Sequence, residues 1–173
     1  MTVHRIRAAQ FHLLNRWYAI ALSVLIALMV VGCATGPRVV NHSFGFDARV
    51  DSPNFEVLAY RYGDGKGVAR SSDNSIKNFG QSPQVTAISG PMRLGNDLYV
   101  QWRHKTTGQT FEETVDLLPL LPRDMTNKRI YFVVTAAQLY VYLKDLKRHA
   151  DPKDPIVGPF KLQYFTTRQI YPR

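Results

Sequence analysis

The chain has 173 residues, of which 45% are hydrophobic and 20% are charged. This balance is typical of one globular domain with an appendage, and it excludes a disordered or collagen-like chain. The formal net charge is +9, but three of the 22 basic residues lie in the first 32 positions, where no acidic residue occurs. The other 19 are scattered among 13 acidic residues, so the sequence predicts no nucleic-acid partner.

Residues 1–32 have the organisation of a secretory signal peptide. Three arginines precede the apolar run 17–31, in which Ser23 is the only clearly polar residue. A basic segment followed by a short apolar run and small residues is the signature of an export signal that is later removed. Extension of the run to Ala34 gives 18 residues and leaves an uncleaved anchor as the alternative, but a spanning helix needs about 20 apolar residues.

The only cysteine of the chain, Cys33, directly follows this apolar run. The sequence Val30-Val31-Gly32-Cys33 resembles the lipobox of bacterial lipoprotein precursors. The resemblance implies that the Cys33 thiol receives a diacylglyceryl group, that cleavage precedes Cys33, and that a further acyl chain such as palmitate modifies the new amino group. In that family an Asp after the cysteine favours the inner membrane, so Ala34 implies the outer membrane.

Lipidation at Cys33 implies a domain held at the periplasmic face of the outer membrane, because two or three acyl chains anchor a protein stably. The alternative is a free cysteine at the end of an ordinary signal peptide. No cysteine remains for a disulfide, so the domain must be held together by its core. We expect a signal peptide over 1–32, a lipidated tether with a first strand over 33–54, and a β-rich domain over 55–173.

The domain shows the alternation of strands and no sustained helical period. Strands are predicted at 55–62 and at 85–89, the latter ended by Gly90-Pro91, and the proline-rich segment 144–159 is predicted to be a loop. A last strand is predicted over 160–171, with a bulge near Phe165–Thr166. With two hairpins between these segments, we expect an all-β fold of six to eight strands. The fold class is an antiparallel β-sandwich or partly open barrel, preceded by a helical signal peptide.

The first hairpin is predicted to turn at 106–109, between an alternating strand and its return. This register gives the cross-strand pairs Leu98–Leu117, Val100–Val115 and Arg103–Glu112. It keeps the apolar residues on one face, whereas a shift by one residue mixes the two faces.

The second hairpin is predicted to turn at 135–138. Its apolar face is given by the pairs Val134–Leu139, Phe132–Val141 and Ile130–Leu143. The opposite face carries Tyr131, Val133, Tyr140 and Tyr142 and is also largely apolar. Either the hairpin is central and covered on both sides, or Tyr131, Tyr140 and Tyr142 form a binding face.

Residues that carry chemistry are sparse and do not form a recognisable constellation. His42, His104 and His149 have no metal-ligand spacing, and we expect a solvated side chain, a strand end and a loop residue, respectively. The carboxylates of Glu112 and Glu113 point to opposite faces of one strand. The sequence therefore predicts no metal, no cofactor and no catalytic residues.

Three classes of function remain compatible with these features. A non-catalytic binding or accessory lipoprotein with an envelope protein as its partner is the one we favour. The alternatives are an immunity lipoprotein that neutralises an envelope-targeting toxin, and an enzyme acting on lipid or cell wall through Glu113, His104 and a loop serine.

Overall fold

The computed structural model describes residues 38–63, 81–158, 160 and 164–173, which belong to one compact unit, Arg38–Arg173. Within these ranges the chain forms eight strands and one short helix. The elements are β1 (Val39–Asp47), α1 (Ala48–Asp51), β2 (Phe55–Tyr62), β3 (Val85–Arg93), β4 (Asp97–His104), β5 (Thr110–Asp116), β6 (Lys128–Thr135), β7 (Gln138–His149) and β8 (Phe165–Tyr171).

The strands form two sheets, one of five strands in the order β3-β1-β6-β7-β8 and one of three in the order β2-β4-β5. All neighbours are antiparallel except β1 and β6, which pair in parallel. One hydrophobic core draws side chains from both sheets. The prediction of an all-β sandwich is therefore confirmed, and the strand expected near the start of the domain is β1.

Aromatic side chains join the two sheets across the core. Phe44 of β1 stacks on Tyr62 of β2 with ring centroids 4.8 Å apart, and Phe46 of β1 packs edge-on against Tyr60 of β2 with centroids 5.0 Å apart. On β2, a register shift between Val57 and Ala59 changes which alternate residues point inward. The bulge thus lets both ends of β2 bury apolar residues although the sequence alternation slips between them.

The second hairpin has the predicted register. Val134 pairs with Leu139, and the pairing continues along β6 and β7 as expected. The strands extend to the pair Thr135–Gln138, so that the turn consists of Ala136 and Ala137. The indole of Trp102 on β4 donates a hydrogen bond to the Ala136 carbonyl at 3.0 Å, which ties this turn to the other sheet.

The register of the first hairpin differs from the prediction by two residues. The predicted cross-strand pairs were therefore wrong, but each side chain lies on the predicted face of the hairpin. Leu98 pairs with Val115 and Val100 with Glu113. The cause is the turn: the His104 ring accepts hydrogen bonds from the Thr106 and Thr107 amides, and the His104 carbonyl accepts one from Gly108. A shift of two residues preserves the side-chain parity.

This register also changes the predicted ion pair. Arg103 binds Glu56 of β2 at 2.7 Å, and Glu112 instead accepts a hydrogen bond from Tyr99 at 2.9 Å. The neighbouring strand β2 therefore supplies the partner that the hairpin alone was expected to provide.

Strand ends differ from the prediction at three places. Strand β3 continues through Gly90-Pro91, which an edge strand tolerates because one side of the proline needs no ladder bond. Strand β7 continues to His149, where a loop was predicted, and β8 begins only at Phe165. The β7–β8 pairing is irregular between Asp145 and His149, opposite Thr166 and Phe165, where the sequence predicted a bulge.

Candidate functional site

The residues predicted for lipidation and cleavage lie outside the described residues. They are Cys33 for lipidation and Val30, Val31 and Gly32 for cleavage. The predicted binding face, in contrast, is described completely and lies on the outer surface of the five-stranded sheet.

This surface carries Tyr131 and Val133 of β6 directly opposite Tyr142 and Tyr140 of β7. We call these four residues the tyrosine face. Tyr142 and Val133 are buried, whereas Tyr131 and Tyr140 are half-buried. The face is therefore covered at its centre and remains accessible at its margins, so neither sequence alternative describes it completely.

Three residues beyond β7 cover the centre: Val157, Gly158 and Phe160. We call them the covering residues. The Phe160 ring packs edge-on against Tyr142 at a centroid distance of 4.9 Å. Gly158 has a φ of +73°, and a Cβ atom there would lie only 2.5 Å from the Cζ atom of Tyr142. Only glycine allows this backbone to approach the tyrosine ring so closely.

Beside the covered centre lies an open cleft of about 250 Å³ between β6, β7 and β8. Two basic side chains, Arg129 and Lys144, contribute to its lining. The remaining lining residues are Tyr131, Phe160, Tyr164, Phe165 and Thr167. We call this site the basic cleft. It combines positive charge with aromatic walls, which suits an anion that also carries an organic body.

Lys144 is held between two aromatic rings. Its Nζ atom lies 4.0 Å from the ring centroids of both Tyr131 and Phe160, the geometry of a cation–π contact. The pKa of Lys144 is lowered to about 8, chiefly by burial; the Asp51 carboxylate of α1 opposes this change, and the positive charge of Arg129 contributes to it. Among the described residues, the charge of Lys144 thus interacts with two aromatic rings and with Asp51, but no carboxylate forms an ion pair with it.

The Asp51 carboxylate has a hydrogen-bonded partner of its own. The Tyr131 hydroxyl donates to it at 2.5 Å, and burial together with this carboxylate raises the pKa of Tyr131. Tyr131 therefore stays protonated and links the short helix α1 to the wall of the basic cleft.

Arg129 lies directly opposite Lys144 in the β6–β7 ladder. Like charges in this position destabilise a sheet. The Nε atom of Arg129 is buried and has no hydrogen-bond partner among the described residues, and none of the ion pairs formed there involves Arg129 or Lys144. A buried unpaired guanidinium nitrogen costs free energy unless a further group satisfies it.

Glu113 and His104, the pair considered for catalysis, have separate structural partners. Glu113 accepts hydrogen bonds from the Leu139 amide at 3.3 Å and from the Tyr171 hydroxyl, and so joins the two sheets. The His104 ring is engaged by its own turn, as described above. The two side chains therefore serve different regions of the fold.

The expectation of a solvated His42 is wrong, because the residue is buried in the core. Its Nε2 lies 2.9 Å from the Tyr62 hydroxyl and its Nδ1 lies 3.0 Å from the Val40 carbonyl. Burial lowers the pKa of His42. His149 ends β7 and is not a loop residue. No cluster of metal-ligating side chains occurs in the described part of the chain.

Sequence reasoning did not identify Arg129 and Lys144 as site residues. The available signal was the alternation of the second hairpin: Arg129–Lys144 is the next pair on the same face after Tyr131–Tyr142. Interpreting 144–159 as a loop ended that pattern one pair too early.

Comparisons with protein-family models, curated proteins and solved structures found no match for this chain. Across the described ranges, none of the helical structure has the length and hydrophobicity needed to cross a bilayer. Function is therefore inferred from the chemistry of the chain's own residues.

Proposed function

We propose that the protein is a lipid-anchored, non-catalytic binding or accessory protein of the bacterial envelope. Cys33 carries the lipid, after cleavage behind Val30-Val31-Gly32, and holds the domain at the periplasmic face of the outer membrane. The accessible margin of the tyrosine face, formed by Tyr131 and Tyr140, and the adjoining basic cleft contact the envelope partner.

The observation that carries the binding role is the accessible margin of the tyrosine face. Tyr131 and Tyr140 are half-buried beside a cleft of about 250 Å³ with two basic side chains. Tyrosine is favoured in recognition sites because it offers a large rigid apolar surface together with a hydroxyl group. The anchor is supported by the four lipobox residues and by their position at the end of the apolar run.

The anchor is tested by the Cys33→Ser variant in a bacterium that processes lipoproteins. We expect the wild-type chain to remain in the membrane fraction after mild washing and the variant to be released. Tight attachment of the variant would contradict lipid anchoring and would indicate an uncleaved apolar anchor.

The binding face is tested by crosslinking in envelope extracts with matched tyrosine variants. Tyr140→Ala alters the margin of the tyrosine face, and Tyr99→Ala alters a half-buried tyrosine of the other sheet. We expect Tyr140→Ala, but not Tyr99→Ala, to lose a specific crosslinked partner. Equal crosslinking by both variants and the wild type would overturn the assignment of this face.

A further inference from the structure

The basic cleft places two cations on adjacent strands without a carboxylate bound to either among the described residues. Arg129 and Lys144 are direct cross-strand partners, and Lys144 is held against two rings. The acidic group whose charge acts on Lys144 is Asp51, which already accepts the Tyr131 hydrogen bond. Two positive charges against one negative charge leave a net single positive charge at the cleft.

The donors available to a ligand are the Arg129 guanidinium and the Lys144 ammonium. The Nε–H of Arg129 is buried and unpartnered. Thr167, the neighbour of Lys144 on β8, donates its hydroxyl proton to the Phe165 carbonyl at 2.8 Å. A guanidinium edge beside an ammonium is the arrangement that binds oxyanions such as phosphate and carboxylate.

The size of the cleft and its aromatic walls restrict the ligand. A volume of about 250 Å³ lies below the range of roughly 300–1,000 Å³ for sites that hold drug-sized molecules. The cleft therefore suits one compact oxyanion with a small organic body. A net single positive charge is neutralised by a monoanion, which favours a phosphodiester over a doubly charged phosphate monoester.

The position of the cleft in the sheet indicates where such a ligand comes from. Arg129 is the second residue of β6 and lies opposite Ser43 of β1, only four residues after the start of that strand. If Cys33 carries the lipid, the four residues between it and Arg38 can reach at most about 18 Å when fully extended. The Ser43–Arg129 pair, which lies at the cleft, would then be about 13 Å further along β1, counted from the first residue of that strand.

We propose that Arg129 and Lys144 form a binding site for the phosphodiester of an anionic lipid headgroup. This inference rests on the proposed function, since the lipid on Cys33 is what keeps the domain close to the bilayer. The same phosphodiester chemistry also occurs in soluble headgroup fragments, so the experiment separates the two sources.

The test uses the mature chain, purified from membranes in a non-ionic detergent, and measures affinity by calorimetry. The probe is dioctanoyl phosphatidylglycerol, and dioctanoyl phosphatidylcholine is the comparison with the same acyl chains and no net charge. We expect the phosphatidylglycerol to bind and the phosphatidylcholine to bind at least about tenfold more weakly, because its choline cation cancels the charge of the phosphodiester and is repelled by the two cations of the cleft.

Matched variants show whether the cleft is responsible. Arg129→Gln and Lys144→Met should each weaken phosphatidylglycerol binding about tenfold or more. Arg168→Gln removes the same charge from an exposed position of β8 that does not line the cleft, and should leave the affinity unchanged. The substitutions at Arg129 and Lys144 relieve a repulsive pair, so we expect both variants to fold, as circular dichroism would verify.

Each of the following results would overturn the proposal in whole or in part. The phosphodiester site is refuted if phosphatidylglycerol does not bind, or if Arg168→Gln weakens binding as much as Arg129→Gln. The lipid source is refuted if the soluble fragment glycerophosphoglycerol binds as tightly as the lipid. A chain that is lipidated on Cys33 but shows no binding would refute this site and leave the anchored function intact.

Discussion

Gly158 offers the sharpest test of how the tyrosine face is covered, since its backbone lies against Tyr142. Gly158 and Gly108 have nearly equal positive φ angles of +73° and +74°. A Cβ atom at Gly108 would meet nothing within 4 Å, whereas one at Gly158 would overlap the Tyr142 ring. Substituting alanine at each position therefore imposes the same backbone cost, and only Gly158→Ala adds a clash.

The magnitude of the expected difference can be worked from this contact. A left-handed backbone costs a non-glycine residue about 1–2 kcal/mol, which sets the loss for Gly108→Ala. Gly158→Ala has the same cost, and its clash is relieved only if the covering residues move off Tyr142. Phe160 is 9% exposed, and losing the burial of such a side chain costs about 1.5–3 kcal/mol. We expect Gly158→Ala to be less stable than Gly108→Ala by that amount.

Urea denaturation measures the difference in stability, and acetylation of tyrosines followed by mass spectrometry measures the exposure of Tyr142. We expect Tyr142 to react in Gly158→Ala, and to remain unreactive in the wild type and in Gly108→Ala. Equal stability of the two variants, with Tyr142 unreactive in both, would refute the close contact between Gly158 and Tyr142.

Three further substitutions probe buried polar groups. Tyr142→Phe removes a buried hydroxyl that has no hydrogen-bond partner among the described residues. The free energy of unfolding, measured by urea denaturation, should therefore stay the same or rise by up to about 1 kcal/mol. A clear decrease would contradict this expectation. The pKa of Lys144 is lowered from 10.5 to about 8 in the folded chain. Between these two pH values the unfolded chain binds more protons than the folded chain, so wild-type stability should rise with pH across that window. Lys144→Met should remove this rise in thermal unfolding scans, and an unchanged rise would assign it to another group. Burial lowers the pKa of His42 below its ordinary 6.5, so wild-type stability should be full above that pH and fall as the pH drops below it. His42→Gln should flatten this acid dependence, and an equally steep dependence would contradict a neutral buried histidine.

The cross-strand pairs of the second hairpin were predictable because its pattern is local. Its apolar pairs lie on one face, and a shift by one residue would move them all to the other. The first hairpin shows the limit of that argument. The alternation of apolar and polar residues determines on which face each side chain lies, but it does not determine which residues pair across the strands. The His104 ring binds two amides in the turn and so selects a register two residues away, an effect that alternation does not encode.

The charged residues at the end of β7 led to the prediction of a loop from residue 144, and the basic cleft was therefore not predicted. Lys144 and Asp145 suggested a loop, but Asp145 binds Lys128 across the hairpin at 3.0 Å and β8 pairs with the other edge. Two of the covering residues, Val157 and Gly158, lie in the proline-rich segment 144–159, whose composition predicts a loop but not the surface on which it packs. The third, Phe160, was predicted to begin the last strand. The parallel pairing of β1 with β6 likewise joins segments far apart in sequence, so no local pattern indicates it.

The central claim is that Cys33 is the lipidated first residue of the mature protein. The intact mass of the chain purified from membranes of a lipoprotein-processing bacterium tests it most directly. We expect a chain that begins at Cys33 and carries the added mass of a diacylglyceryl group and one amide-linked acyl chain. A chain that begins at Met1, or one in which Cys33 is unmodified, would contradict the anchor and the function proposed from it.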